Sequence, residues 1–258
     1  MRILAIGDVS ASGGLAVLER ALPPYLRQNP MDLVIVNGEN ASMRGITPQQ
    51  AELIFDCGAD VITLGNHTFA QRQICNYLED MPYILRPANL PPQLEGKGFC
   101  HIEVCGRDVC VCNLLGRLNM GDFRYGDPFA EADRILKNEK DQTDLFIFDF
   151  HAEATSEKKA FGYHVDGRAG ICFGTHTHVQ TADEHILPGG CGYITDIGMT
   201  GALESVIGVK YQQSVSYFRG NLGPRFESSD LDCAICGALF EIDEATCKCV
   251  HVERLIIR

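Results

Sequence analysis

The chain has no apolar run long enough to cross a membrane, no low-complexity tract and no long run of like charges. A bilayer-spanning helix needs about 20 consecutive apolar residues, so no membrane partner is expected. The opening stretch MRILAIGDVS becomes polar too early for a secretory signal and is typical of a strand, so we expect a cytoplasmic protein. With 258 residues, 45% of them hydrophobic, and no visible linker, the sequence predicts a single domain over 1–258.

Positive charge is also scarce, because 22 lysines and arginines face 34 acidic residues and leave a net charge of −12. A broad phosphate-binding surface is therefore not expected, and neither is a duplex nucleic acid partner. An anionic substrate would need a local positive centre, which bound metal ions would supply.

Cysteine, in contrast, is abundant, with twelve in the chain. Disulfides are rare in a reducing interior, where a chain without a secretory signal is expected to remain. Zinc binding by two pairs, Cys233 with Cys236 and Cys247 with Cys249, is one interpretation. Because C-x-C spacing suits zinc poorly and both pairs lie in strand-like segments, we favour small buried hydrophobic side chains.

Strand-like and helix-like patterns alternate through the first half of the chain. Apolar runs that end in polar residues cover 2–8, 32–40 and 59–69, and helical patterns cover 13–29, 47–58 and 72–81. The same strand pattern returns in the second half at 144–154 and 169–178. The helix over 47–58 has Thr47 as its N-cap, Pro48 in its first turn and Gly58 as its stop. The helix over 13–29 is expected to break at Pro23 and Pro24.

Shorter strands are predicted at 99–105, 108–114, 184–187, 191–195, 233–242 and 248–257. Buried runs separated by helices favour an α/β fold, and the additional short strands favour mixed sheets. We therefore expect two mixed sheets packed together with helices outside.

Each of five apolar runs is followed by side chains that bind metals or transfer protons. They are Asp8 after the first run, Asn37, Glu39 and Asn40 after the second, Asn66 and His67 after the third, His151 after the fourth, and His176 and His178 after the fifth. Ligands of α/β folds bind beyond the carboxyl ends of the strands, so these side chains are expected to meet at one edge. In the segment FGTHTHVQTAD, His176 and His178 are two positions apart. A helix would place them on different faces, whereas a loop that leaves a strand can direct both rings to one point.

The chemistry of this set favours transition metals. Oxygen and nitrogen ligands without thiolate suit iron, manganese, zinc or cobalt better than calcium. The set is too large for one ion, so two ions bridged by one carboxylate are expected. Two neighbouring ions polarise phosphoryl oxygens and turn water into hydroxide near neutral pH, which favours attack on phosphorus.

The motifs GD (7–8), GEN (38–40), GNHTF (65–69), DFH (149–151) and GTHTH (174–178) resemble the signature of the calcineurin-like metallophosphoesterases. More closely, AIGDVSASGG, VNGENAS, TLGNHTF, FHAEATSEK, GTHTHVQTAD and TDIGMTG resemble the YmdB-type bacterial branch. The resemblance implies a four-layer α/β/β/α sandwich with two mixed sheets. It also implies a phosphodiesterase acting on small phosphodiesters such as cyclic nucleotides, including 2′,3′-cyclic forms, with two divalent ions, iron or manganese ahead of zinc.

The same resemblance implies a role for each candidate residue. Asp8, Glu39 and His178, with Asn40 nearby, would hold one ion, and Glu39, Asn66, His151 and His176 would hold the other. Glu39 would bridge the ions, and His67 would protonate the leaving group after attack by metal-activated hydroxide. The wider superfamily begins with D-x-H, whereas here Ser10 stands in place of that histidine, and Asn40 is expected to compensate through its carbonyl oxygen. Glu39 also replaces the bridging aspartate of the wider superfamily, and both departures leave the metal identity open.

Several other side chains have both a functional and a structural interpretation. Thr155 and Ser156 would donate to phosphate or cap a helix, and Arg44 would contact substrate or stay a solvated loop residue. Asp196 in TDIGMTG would orient a metal-bound histidine. Gly13 and Gly14 would cradle phosphate at a helix start or form a plain turn. No role is assigned to His101, His164, His185 and His251, and no substrate-binding residue is predicted.

Three functions are compatible with these patterns. The first is the dinuclear phosphodiesterase, the second is a phosphomonoesterase or nucleotidase on the same scaffold, and the third is a metal-binding regulatory protein that acts through partners. His67 favours an enzyme, because a binding protein has no need of a general acid beside a full ligand set. A homo-oligomer is compatible with an enzyme of this type, but the sequence shows no interface signature.

Overall fold

The computed structural model describes residues 1–121, 125–223 and 225–258. Within those ranges the chain forms fourteen β-strands, six α-helices and a short 3₁₀ helix at Lys140–Gln142. The strands are β1 (Arg2–Ile6), β2 (Asp8–Val9), β3 (Leu33–Asn37), β4 (Val61–Thr63), β5 (Ile84–Leu85), β6 (Phe99–Val104), β7 (Arg107–Leu115), β8 (Leu145–His151), β9 (Ile171–Thr175), β10 (His185–Ile186), β11 (Gly192–Ile194), β12 (Met199–Ala202), β13 (Cys233–Asp243) and β14 (Lys248–Ile257). The helices are α1 (Ala11–Gln28), α2 (Pro48–Asp56), α3 (Ile74–Asp80), α4 (Pro128–Asn138), α5 (Thr155–Val165) and α6 (Tyr211–Phe218).

The strands form two mixed sheets, as predicted. The first has the order β2-β12-β13-β1-β3-β4-β5, with β14 paired to β13. In it β1, β3, β4 and β5 run parallel, and β13 runs antiparallel to β1. The second has the order β10-β11-β9-β8-β7-β6, in which β11, β9, β8 and β7 are parallel and the edge strands are antiparallel.

Alternation of side chains along the strands produces three apolar layers. Ile3 and Ala5 of β1 pack in a cluster with β7, β8 and β9, so this layer lies between the two sheets. Leu4 and Ile6 point to the opposite face and pack with α1, α2 and α3. A third cluster joins the outer face of the second sheet to α4 and α5. The predicted four-layer α/β/β/α sandwich is therefore confirmed.

The predicted break in the first helix is wrong, because α1 runs through Pro23 and Pro24 and also begins earlier, at Ala11. A proline inside a helix costs about 3 kcal/mol through its missing donor and its ring clash. Val17, Leu18 and Leu22 are fully buried against the first sheet. Each such side chain contributes about 1.5–3 kcal/mol when buried, so packing offsets the cost of the prolines.

The second helix follows its sequence signals closely. Thr47 caps α2 by accepting from the Gln50 backbone at 3.2 Å, while the Gln50 side chain accepts from the Thr47 backbone at 2.9 Å. Pro48 opens the helix, and Gly58 adopts a left-handed φ of 107° just beyond its end. The sequence patterns predict neither α4 nor α6, indicate α5 only through a candidate cap at Thr155 and Ser156, and miss the short strands β2, β5 and β12. None of the helices in the described ranges is both long and apolar enough to cross a membrane.

Candidate metal centre

All of the predicted metal ligands and the predicted general acid His67 lie at or just beyond strand ends. They are Asp8 in β2, Glu39 and Asn40 beyond β3, Asn66 and His67 beyond β4, His151 at the end of β8, and His176 and His178 beyond β9. The strands β1, β3 and β4 are parallel, as are β8 and β9, so within each sheet these ends lie at one edge. The two edges adjoin, and side chains from both sheets meet there.

One group of side chains converges on Nε2 of His151, which is fully buried. Oε1 of Glu39 lies 3.2 Å from this nitrogen, Oδ1 of Asn66 lies 3.1 Å away, and Nδ1 of His176 lies 3.0 Å away. Ligand atoms of Glu39, His151 and His176 all fall within 4.8 Å of one another. These four residues are the set that the resemblance assigns to one ion.

A second group brings together the remaining predicted ligands. Nε2 of His178 lies 3.7 Å from Oδ1 of Asp8 and 3.1 Å from Nδ2 of Asn40. The Asn40 amide donates to Asp8 at 3.4 Å, and the backbone N–H of His176 donates to Asp8 at 3.1 Å. Asn40 thus presents its amide nitrogen to this group. For its carbonyl oxygen to bind a metal ion, as predicted, the side-chain amide must be flipped.

Glu39 is the group whose chemistry most clearly requires a cation. It is fully buried, and neither of its carboxylate oxygens has a hydrogen-bond partner among the described residues. Burial raises the pKa of Glu39 to about 7. Burial also raises the pKa of Asp8, and the Glu39 charge adds to that rise. Glu39 therefore interacts with Asp8 of the second group as well as with His151 of the first. A bound cation would compensate the buried charge, and the residues present therefore fit a metal ion.

Gly65 makes room for this arrangement. A Cβ atom at position 65 would lie 2.0 Å from Oε2 of Glu39 and 2.4 Å from Nε2 of His151. Any side chain there would occupy the space in which the ligand atoms converge. The glycine of the GNHTF motif is thus explained by close approach rather than by a turn.

Each of the three histidines has its outer ring nitrogen held by a protein group. Nδ1 of His151 lies 2.9 Å from the Thr175 hydroxyl, Nδ1 of His178 lies 3.2 Å from the Ile207 carbonyl, and Nε2 of His176 lies 3.3 Å from Oε2 of Glu153. These contacts leave Nε2 of His151 and His178 but Nδ1 of His176 facing the site. Burial lowers the pKa of His151 to about 4 and that of His176 to about 2, so both rings are neutral at pH 7, the form that binds metals.

Asp149 supports this geometry from beneath, and no role was predicted for it. Its carboxylate accepts from Thr175 at 2.7 Å, from Thr63 at 2.5 Å and from Asn37 at 3.1 Å. Burial raises the pKa of Asp149 to about 7. The chain Asp149–Thr175–His151 orients the His151 ring. Asp149 lies two residues before His151 on β8. Side chains two apart in a strand point to the same face, so the spacing indicated that Asp149 and His151 lie on one side of the sheet.

His67 lies beside the site without entering either group. It is half-buried, and its Nδ1 lies 3.5 Å from the Asn66 amide nitrogen. Among the described residues, the His67 ring forms no hydrogen bond with a predicted ligand other than Asn66. The general-acid role of His67 stays a prediction.

Two structural details correct the secondary candidates. Thr155 and Ser156 open α5 but form no side-chain cap, so the capping interpretation is wrong. Gly13 and Gly14 lie inside α1 rather than before it, and a Cβ at position 14 would meet the Thr200 carbonyl at 2.4 Å, so Gly14 serves helix packing. Arg44 is exposed, and its contact with substrate stays a prediction.

Asp196 does not orient a histidine ring. Its carboxylate instead accepts from Lys158 at 2.6 Å and from the Thr177 hydroxyl at 2.7 Å. Thr177 stands between His176 and His178, so Asp196 acts on the loop rather than on a ligand ring.

The cysteines do not form a zinc site. Cys236 lies opposite Ile256 and Cys249 lies opposite Ile242, so the two pairs occupy opposite ends of the β13–β14 hairpin. The one cluster of potential metal ligands in the described ranges contains no cysteine. Burial raises the pKa of Cys236 and Cys249, which is typical of inert structural thiols.

Comparison with known proteins found relatives that match almost the whole chain. A 2′,3′-cyclic-nucleotide 2′-phosphodiesterase from Bacillus subtilis is 40% identical over 258 residues, which cover 100% of this chain and 97% of that protein. The crystal structure of a phosphatase from Mycoplasma pneumoniae superposes with a TM-score of 0.92 at 34% identity, over 100% of this chain and 94% of that one. A hypothetical protein from Thermus thermophilus gives a TM-score of 0.91 at 35% identity, over 99% and 98% of the two chains.

A more distant likeness shows the fold alone. The 5′-nucleotidase precursor of Thermus thermophilus shares 10% identity and a TM-score of 0.62, over 99% of this chain and 54% of its own length. The profile of the YmdB-like protein family matches residues 4–255. With nearly the whole chain matched and the ligand groups gathered at one edge of the two sheets, this protein belongs to the YmdB-like family, within the calcineurin-like fold.

Proposed function

We propose that this chain is a dinuclear-metal phosphodiesterase that hydrolyses small phosphodiesters, with 2′,3′-cyclic nucleotides as its substrate class. At the coarser level, the prediction of a phosphoric ester hydrolase is confirmed by relatives that are named a phosphodiesterase and a phosphatase. The cyclic substrate is supported by the name of the Bacillus subtilis relative, which also favours opening of the ring at the 2′ oxygen.

The observation that carries the metal part of the proposal is the Glu39 carboxylate. Both of its oxygens are buried and unpartnered among the described residues, with neutral histidines on one side and Asp8 coupled to it on the other. In the absence of a cation such a carboxylate would be costly to keep ionised. A carboxylate in this position is suited to bridge two ions.

The division of labour follows from the two groups. Glu39, Asn66, His151 and His176 would hold one ion, and Asp8, Glu39, Asn40 and His178 would hold the other. When bound, iron or manganese ions, or zinc as the alternative, supply polarisation of the phosphoryl oxygens and a water of lowered pKa. Because Nδ1 of His67 faces the Asn66 amide, Nε2 of His67 is the nitrogen that would donate a proton to the leaving 2′ oxygen.

Two alternatives differ in what they expect from the same residues. A phosphomonoesterase would use the same ligands but release phosphate from a nucleoside monophosphate, and the Mycoplasma pneumoniae neighbour is named a phosphatase. A metal-binding regulatory protein would bind ions without turnover. Turnover of a cyclic diester at a higher kcat/KM than the matching monoester separates the first reading from both alternatives.

The test begins with metal content. Protein reconstituted with iron or manganese is expected to retain about two ions per chain by mass spectrometry. The loaded protein is then assayed on 2′,3′-cyclic AMP, 3′,5′-cyclic AMP and 3′-AMP. Saturation at one ion per chain would contradict the dinuclear centre, and activity confined to 3′-AMP would favour the phosphomonoesterase.

A further inference from the structure

Beneath the candidate metal centre lies a lysine that the mechanism does not use. The Lys158 side chain projects from α5 and is only 1% exposed, although lysine is almost never fully buried without a partner. Its Nζ donates to Oδ2 of Asp196 at 2.6 Å and to the Thr175 carbonyl at 2.7 Å. Its stem passes Gly174, where a Cβ would lie 3.0 Å from Cδ of the lysine. Because the ammonium group is buried, it does not reach substrate. Its role must therefore lie in its contacts with Asp196 and Thr175.

The Asp196 carboxylate extends the contact to the next residues of the same loop. Oδ2 accepts from the Thr177 backbone at 3.1 Å and from the Thr177 hydroxyl at 2.7 Å, and Oδ1 accepts from the Gly198 backbone at 2.8 Å. Lys158 and Asp196 together therefore hold Thr175 and Thr177. These two residues flank His176.

The loop held in this way has an unusual backbone. His176 has a φ of 97° and His178 has a φ of 63°, both in the left-handed region that non-glycine residues adopt uncommonly. Such conformations persist when the surrounding structure over-determines them, and they cluster at functional sites. These two left-handed backbone conformations direct Nδ1 of His176 and Nε2 of His178 towards the two ligand groups. An anchor on both sides of His176 is what this backbone requires.

We propose that the buried Lys158–Asp196 pair is a positioning device that holds the His176–Thr177–His178 turn in its ligand geometry. The proposal rests on the proposed function, because it takes both histidines as metal ligands. Neither Lys158 nor Asp196 contacts an ion or substrate in this role. They act through the main chain and the Thr177 hydroxyl.

The test measures Mn²⁺ binding to the metal-free protein by calorimetry. Lys158→Met, Asp196→Asn and the double variant are each expected to bind Mn²⁺ about 10–100-fold more weakly than the wild type, the range typical of lost outer contacts of a metal site. Lys159→Met is the matched control, because the neighbouring lysine lies on the same helix, is partly exposed and pairs with Asp183 at 3.2 Å. Its Mn²⁺ affinity is expected to stay within about twofold of the wild type.

Thermal melting of the same metal-free variants separates positioning from stability. Lys158→Met leaves the Asp196 charge buried without its partner, so its melting temperature falls, whereas the double variant also removes that charge and recovers part of the loss. Positioning predicts that Mn²⁺ affinity stays low in the double variant despite this recovery. Affinity that returns together with the melting temperature would overturn the proposal. If Lys158→Met does not fold, Asp196→Asn and the double variant decide the same question.

Histidine ring signals provide the specific signature. In ¹⁵N spectra of the metal-free protein, the double variant is expected to shift His176 and His178 more than His151, because Lys158 holds only the Thr175 carbonyl, whereas the Thr175 hydroxyl that contacts His151 stays bound to Asp149. Equal shifts of all three rings, or none, would count against positioning. A wild type that binds no Mn²⁺ would overturn the proposed function instead, whereas wild-type binding with unaltered variants would overturn only this inference.

Discussion

The Glu153 carboxylate contacts the outer nitrogen of the His176 ring, with Oε2 3.3 Å from Nε2 of the imidazole. The inner nitrogen, Nδ1, lies 3.0 Å from Nε2 of His151. His151 and His178 have the opposite arrangement, with Nδ1 held outside and Nε2 facing the site. The tautomer of His176 is thus set by a carboxylate at the surface rather than by a buried group.

Replacing Glu153 by glutamine is expected to weaken Mn²⁺ binding by up to about tenfold, at the low end of outer-contact effects, because the side chain is 47% exposed and water can replace it. Calorimetry on the metal-free protein measures the change. Glu253→Gln is the control, since Glu253 also lies beside a histidine, His251, but outside the ligand groups. An equal loss in both variants would show that the effect is not specific to His176.

Glu39→Gln is expected to be more damaging than Asp8→Asn, with a loss of Mn²⁺ affinity above about 100-fold, beyond the range of outer contacts. Among the described residues neither Glu39 oxygen has a hydrogen-bond partner, whereas Asp8 accepts from Asn40 and from the His176 backbone. A bridging carboxylate serves two ions and a terminal one serves a single ion. Metal content and hydrolysis rates are compared in the two variants, and equal residual values would contradict the bridge.

Metal binding is expected to release about one proton per chain from Glu39 at pH 6, and this contribution of Glu39 is expected to disappear above pH 8, because the pKa of Glu39 is about 7 in the metal-free protein. His151 and His176 do not contribute, since their pKa values of about 4 and about 2 leave them already neutral. The raised pKa of Asp8 acts in the same direction as that of Glu39. Calorimetry at pH 6 in buffers of different ionisation enthalpy counts the protons, and Glu39→Gln should remove most of the release.

The raised pKa of Glu39 also makes the stability of the metal-free protein depend on pH. The folded-state pKa of Glu39 lies above its ordinary value of 4.5, so the metal-free fold is favoured while Glu39 is protonated. That contribution is lost as the pH rises through about 7, where the carboxylate ionises without a partner. Added Mn²⁺ should therefore raise the melting temperature more at pH 8 than at pH 6. The reverse order would contradict the assignment of Glu39 as the titrating ligand.

His67→Ala is expected to lose about 10²–10⁴-fold in rate on a 2′,3′-cyclic nucleotide, the contribution of a positioned general acid. A nitrophenyl phosphodiester should lose far less, because its leaving group is stable as an anion. Both metals should remain bound, since His67 belongs to neither ligand group. Equal losses on the two substrates with metals retained would contradict the general-acid role, and loss of a metal would make His67 a ligand.

Local signals in the sequence were sufficient for some elements. The α2 helix begins at Thr47 and ends before Gly58 because its cap, its first-turn proline and its stop act within a few residues of one another. Polar residues after five apolar runs likewise predicted the candidate ligands, since strand ends are visible as changes of composition. The prediction failed at Pro23 and Pro24, where burial of the α1 face against the first sheet outweighs a local signal.

By itself the sequence determined which side chains could meet, through the order of strands and polar ends, and it indicated the family through its motifs. Only the tertiary structure decided how they are held. Lys158 and Asp196 lie 38 positions apart, and the contact between Glu39 and His151 joins two sheets. The orientation of each histidine ring depends on such long-range contacts, and a linear pattern carries no information on distances between segments that meet only after folding.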